Sequence, residues 1–66
     1  MALYLVRHAE AGDRVAWPHD DRLRELTSFG HLQAFCLVNR FDQLTVNGIV
    51  SSPFLRCVQT VQPLAD

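Results

Sequence analysis

Ala2-Leu3-Tyr4-Leu5-Val6-Arg7-His8 is the stretch that decides the fold class. A continuous apolar run carrying the β-formers Tyr4 and Val6 predicts a strand buried on both faces, the habit of parallel sheets. Arg7 and His8 then stand at the carboxyl end of that strand. Residues 9–26 follow as a polar stretch with Gly12, Pro18 and the charged run Asp20-Asp21-Arg22. That is long for a plain connector, and long ordered loops are usually functional. Thr27 is a good N-cap, and Ser28 to Arg40 is predicted as a helix. Phe29, Leu32 and Cys36 fall at helical spacing with Phe35 beside them, which marks a core face. Gly30 costs that helix roughly 1 kcal/mol, so a packing reason is expected. Asn47-Gly48 signals a turn. Ile49-Val50-Ser51 predicts a short second strand. Ser52 as N-cap with Pro53 at the first helical position opens a second helix. Phe54, Val58, Val61 and Ala65 keep its spacing, and Pro63 should end or kink it near Gln62.

The order is strand, loop, helix, strand, helix. Parallel strands joined through a helix make an α/β unit with a right-handed crossover. Ligands in such sheets sit at the carboxyl ends of the strands. Both ends carry chemistry here: Arg7-His8 on one, Ser51-Ser52-Pro53 leading to Arg56 on the other.

The chain has 66 residues and a formal net charge of −1. That allows one domain at most, and a chain this size buries only about 60% of the surface its unfolded form exposes. With 48% hydrophobic and 20% charged residues, the composition is globular and not that of a disordered segment. No basic excess is present, so a nucleic-acid partner is not expected. All six basic residues are Arg, the side chain that reads phosphate bidentately. Cys36 and Cys57 make neither a disulfide framework nor a Cys-x-x-Cys site. The opening apolar run is too short for an export signal and lacks a basic residue before it. No apolar stretch reaches membrane-spanning length. The expectation is a cytoplasmic chain with reduced thiols and no membrane partner.

Two guanidinium groups and a helix N-terminus describe a phosphate site. A neutral imidazole beside a bound phosphoryl group is a capable nucleophile. His8, Arg7 and Arg56 supply those parts. Glu10, Asp20 and Asp21 in the intervening loop are candidate proton donors to a leaving group. His19 and His31 read as incidental, and no metal spacing connects the histidines, so neither metal nor other cofactor is expected. Tyr4, Phe29, Phe35 and Phe54 read as core, Trp17-Pro18 as a loop anchor, and Cys57 as a packing residue.

Three motifs in this order resemble a known family. They are Leu5-Val6-Arg7-His8-Ala9-Glu10, Leu26-Thr27-x-x-Gly30-x-x-Gln33-Ala34, and Ser51-Ser52-Pro53-x-x-Arg56-Cys57-x-Gln59-Thr60. The chain resembles the histidine phosphatase superfamily, also called phosphoglycerate mutase-like, over nearly its whole length. Within it, the chain is most similar to the small phosphohistidine phosphatases of the SixA type. The block from Val50 to Arg56 and the placing of Asp21 before Arg24 are the reasons. The extended Arg-His-Gly-Glu-Ser motif of the mutases is absent, which favours phosphatase over mutase.

The resemblance implies that His8 is the nucleophile that becomes phosphorylated. It implies that Arg7, Arg24 and Arg56 hold the phosphate, and that Asp21 is the loop carboxylate near the leaving group. Glu25 stands where the family usually has Pro. The fold implied is the N-terminal part of a three-layer α/β/α domain, with residues 1–66 as its N-terminal half. Family members are much longer. Their later part carries a second His in a Gly-His or Ser-His context, which no residue here matches. The expected function is hydrolysis of a phosphohistidine or small phosphomonoester through a phosphohistidine on His8, with this chain alone inactive. The alternative is a non-catalytic remnant that at most binds phosphate or a protein partner. Unpaired strand edges would invite self-association.

Overall fold

A computed structural model describes residues 3–44 and 46–66. Two α-helices organise them: α1 over Ser28–Arg40 and α2 over Leu55–Ala65, packed against each other. A short 3-10 turn over Asp21–Leu23 packs against α2.

The first helix starts where its cap dictates. Thr27 has extended backbone angles, and its Oγ1 accepts the Gly30 N–H at 3.0 Å, satisfying one of the free donors of the first turn. Arg40 stands in the last turn, the favourable end of the helix dipole for a cation. The second helix begins later than Ser52-Pro53 suggests. Ser52 Oγ accepts the Phe54 N–H at 3.4 Å, and Phe54 takes the cap position with no side-chain cap. The helix also continues through Pro63 to Ala65. Pro63 removes the N–H that would have met the Gln59 carbonyl, but it falls in the final turn, where little helix remains to be lost.

The long loop closes on itself. Ala11 and Leu26 form an isolated antiparallel bridge, and the Gly12 N–H donates to the Glu25 carbonyl at 3.1 Å. Inside the loop the Trp17 indole donates to the Asp20 carbonyl at 3.0 Å and meets the His19 ring edge-on. Trp17 is thus held as a loop anchor.

The expected strand-loop-helix-strand-helix unit does not form, and neither does the α/β/α layering built on it. Among the described residues there is no strand and no sheet. Ala2 of the expected first strand lies outside the described residues. A strand exists only when a neighbour takes its N–H and C=O groups, and residues 3–6 and 46–51 make no ladder with each other. Instead Tyr4, Leu5 and Val6 from the first segment and Val46, Ile49, Val50 and Ser51 from the second border a shared cavity of about 300 Å³ whose other walls include Phe41, Cys57, Val61 and Leu64. Leu5 is 91% exposed and Val50 97% exposed, so the apolar runs that predicted buried strands face water.

The expected core face of α1 is corrected as well. Phe29, Leu32 and Phe35 are exposed, while the buried positions of the helix are Gly30 and Ala34. Small residues are inside because the loop backbone comes close: a Cβ on Gly30 would overlap the Glu10 carbonyl oxygen. Among the described residues the buried set is Leu26, Gly30 and Ala34, with the polar Arg24 and Thr60. The surface left to water is 5322 Å². That is about a quarter more than the ~4,200 Å² typical of a folded monomer of 7.5 kDa.

Candidate active site

His8 is half-buried at the mouth of a cleft of about 480 Å³, and Arg7, Glu10, Arg24, Gln33 and Thr60 line it too. The His8 ring is oriented by its neighbour: Nδ1 lies 2.7 Å from the Ala9 carbonyl oxygen. A carbonyl only accepts, so Nδ1 carries the proton, and in the neutral ring Nε2 keeps its lone pair. The nitrogen that keeps its lone pair is therefore the one not tied to the backbone.

Three consecutive peptide groups after His8 are gripped by the helices. The Ala9 N–H donates to Thr60 Oγ1 at 2.9 Å, and that hydroxyl donates onward to the Arg56 carbonyl at 2.7 Å. The Glu10 N–H donates to Gln33 Oε1 at 2.8 Å. The Glu10 carbonyl accepts from the Thr27 N–H at 2.9 Å, with Gly30 leaving the space that lets it come so near. On the far side of the loop, Gln59 Oε1 accepts the Leu26 N–H at 2.9 Å. The motif residues Thr27, Gly30, Gln33, Gln59 and Thr60 are thus the frame that holds the His8 segment. Thr27 as a cap and Gly30 as a packing position are expected from the sequence, whereas Gln33, Gln59 and Thr60 carry no role there beyond their place in the motifs. The signal was there in spacing: Thr27, Gly30 and Gln33 recur every third residue along one side of α1, and Thr60 follows Arg56 by one helical turn.

The arginines are organised by Asp21. Its Oδ1 accepts from Arg24 Nε at 2.8 Å, and its Oδ2 accepts from Arg56 Nη2 at 3.1 Å. Arg56 Nη1 also donates to the Asp21 carbonyl at 2.9 Å, and Arg24 Nη1 donates to the Gly12 carbonyl. The Arg24 side chain is 9% exposed and that of Arg56 13%. The Arg56 guanidinium lies 4.8 Å from the Phe54 ring centroid, and its Nε is buried without a hydrogen-bond partner. The hydrogen bond from Arg24, reinforced by the Arg56 charge, holds the Asp21 carboxyl below the usual carboxylate range. Asp20 is pulled down to about 2 by its hydrogen bonds from Arg22.

Of the residues singled out in the sequence, Arg7, His8 and Arg24 meet at the cleft. Arg56 lies outside its lining and is joined to it through Asp21 and Thr60. Glu10 is the loop carboxylate that lines the cleft, and its Oε1 accepts from the Thr27 hydroxyl at 3.0 Å. His19 and His31 stand elsewhere, His19 on Trp17 and His31 in a groove with Phe35 and Gln59. Among the described residues no group of His, Cys, Asp and Glu side chains could hold a metal ion. No helix among them is long and apolar enough to cross a membrane.

The sequence profile of the histidine phosphatase superfamily (branch 1) matches residues 3–66. This chain belongs to that superfamily. An 8-oxo-(d)GTP phosphatase of Mycolicibacterium smegmatis is 38% identical over 62 residues, covering 94% of this chain and 19% of that relative. An uncharacterized protein of Picosynechococcus sp. is 39% identical over 67 residues, covering 98% of this chain and 40% of its own. The chain thus spans a minor part of the length of either relative. Membership supports a phosphatase role for the superfamily member as a class.

Proposed function

We propose that this chain carries the nucleophile and part of the phosphate grip of a phosphatase that works through a phosphohistidine on His8. The observation that supports this reading above the others is the Nδ1–H bond to the Ala9 carbonyl, which leaves Nε2 available at a cleft with Arg7 and Arg24. In the proposed reaction Nε2 attacks phosphorus in line. The bond from phosphorus to the leaving atom, nitrogen in a phosphohistidine or oxygen in a phosphomonoester, breaks as the N–P bond to His8 forms, and the leaving atom takes a proton from water. Water then attacks the phosphohistidine, releasing inorganic phosphate and restoring the imidazole. Arg7, Arg24 and Arg56 would balance charge on the equatorial oxygens.

Asp21 fits the role of clamp for the arginine pair better than that of acid. A carboxylate held ionised by two guanidinium groups is a poor proton donor at neutral pH. The proposed substrate is a phosphohistidine-bearing protein or a small phosphomonoester. The name of the mycobacterial relative adds nucleotides to the panel worth assaying.

A second reading has its own support. Of the three histidines only His8 lines the cleft, so the second imidazole of the superfamily's phosphate pocket is not supplied by these residues. The 66 residues would then bind phosphate or a protein partner without turnover. Incubation with phosphoramidate separates the readings. Acid-labile labelling that disappears in His8→Ala supports the nucleophile. Labelling that survives His8→Ala refutes it, and no labelling of the wild-type chain favours the non-catalytic reading.

A further inference from the structure

We infer that Gln33 is a positioning residue for His8, acting through the single peptide group between Ala9 and Glu10. The carbonyl of that group accepts the His8 Nδ1–H at 2.7 Å, and its N–H donates to Gln33 Oε1 at 2.8 Å. One planar unit therefore joins the two side chains, and its rotation would break both bonds together. A peptide that donates through its N–H is a stronger acceptor at its oxygen, because aligned hydrogen bonds polarise one another. Gln33 thereby does two things to the histidine. It fixes the direction of the carbonyl that selects the ring's tautomer, and it strengthens that selection. Without the grip, a histidine ring near water is free to protonate Nε2 instead, and the lone pair then points at the backbone and not into the cleft. The neighbouring peptides are fixed by other groups, Thr60 on the Ala9 N–H and Thr27 on the Glu10 carbonyl, so on this one Gln33 is the side-chain partner seen on the N–H, opposite His8 on the carbonyl.

The inference rests on the phosphatase reading for its meaning, but its test does not. The probe is the His8 ring in the ¹⁵N-labelled full chain, at about pH 8.5 where an ordinary imidazole is neutral, assigned by loss of its signals in His8→Ala. The wild type is expected in the Nδ1–H form. Gln33→Leu should move the ring towards Nε2–H, while Gln33→Glu, which keeps an acceptor at the same place, should retain Nδ1–H. Gln33 is exposed on α1 and Leu is a good helix former, so the helix should persist; Gln33→Ala gives a second truncation with the same expectation. An unchanged ring in both truncations overturns the inference. In a separate arm, phosphoramidate labelling of His8 should slow about 10-fold or more in Gln33→Leu, the scale on which outer hydrogen-bond partners act, and recover in Gln33→Glu. Failure of wild-type labelling would remove the phosphatase reading, and the tautomer would still decide the role of Gln33.

Discussion

Asp21 Oδ2 lies 3.1 Å from Arg56 Nη2, and the same carboxylate binds Arg24 through its other oxygen, so one acidic group in the loop sets the position of two basic ones. The pairing ties the 3-10 turn to the second helix across 35 residues of sequence. Side chains this far apart in the chain meet only because the loop folds back over α2.

The first prediction concerns acid. The folded-state pKa of Asp21 lies below its ordinary 3.8, and that of Asp20 falls to about 2. Each group therefore adds stability that is fully present above the unfolded pKa and lost as pH falls through the folded one. Thermal melts followed by circular dichroism should be flat down to about pH 5 and weaken between about pH 4 and pH 2. Asp21→Asn should be less stable than wild type at pH 7, with the difference closing at the acid end. Equal stability of the two at pH 7 would mean that the clamp contributes nothing.

Gly30→Ala tests the close approach of loop and helix. Helix propensity alone favours Ala by about 1 kcal/mol. The Cβ would meet the Glu10 carbonyl, which is backbone and cannot swing aside. We expect a net loss of about 1–3 kcal/mol, the range for overpacked sites, read from chemical denaturation. A gain in stability would show that the loop yields easily.

Arg56→Ala should reduce phosphoramidate labelling of His8 by about 10²–10³, the usual cost of losing a positioned donor to transferring charge. The purified 66-residue chain should show no meaningful steady-state hydrolysis. Robust multiple turnover would refute the view that these residues hold only part of a site.

Association is expected with rising concentration. Leu3 at 86%, Leu5 and Val50 leave large apolar surface in water. Sedimentation at several loadings should show a growing average mass, and a sharp concentration-independent monomer would contradict this.

The parts of the fold legible in the sequence are those governed by neighbours along the chain. Thr27 as cap and Ser28–Arg40 as helix follow from local hydrogen bonding, and the structure has both. The strands expected at residues 2–6 and 49–51 do not form among the described residues, because a strand needs a partner to take its N–H and C=O groups and periodicity does not reveal one. The α1 core face is not legible from its large apolar side chains, because Gly30 and Ala34 are buried and the close contact at Gly30 is with the Glu10 backbone. At the site, the motif singles out Arg7 and His8, and the structure has both on one cleft. The Asp21 clamp and the Gln33 and Thr60 grips are not legible in the sequence, since each depends on a fold-back that brings distant residues to one peptide.

Trp17 is the chain's single tryptophan, and its indole is tethered to the carbonyl of Asp20, next to the clamp residue. Its emission is therefore a built-in gauge of the arginine pair. If an oxyanion draws Arg56 away from Asp21, the turn on which the indole rests should loosen and the fluorescence should shift with it. Occupancy of the site thus becomes visible in the unmodified chain, without any attached dye.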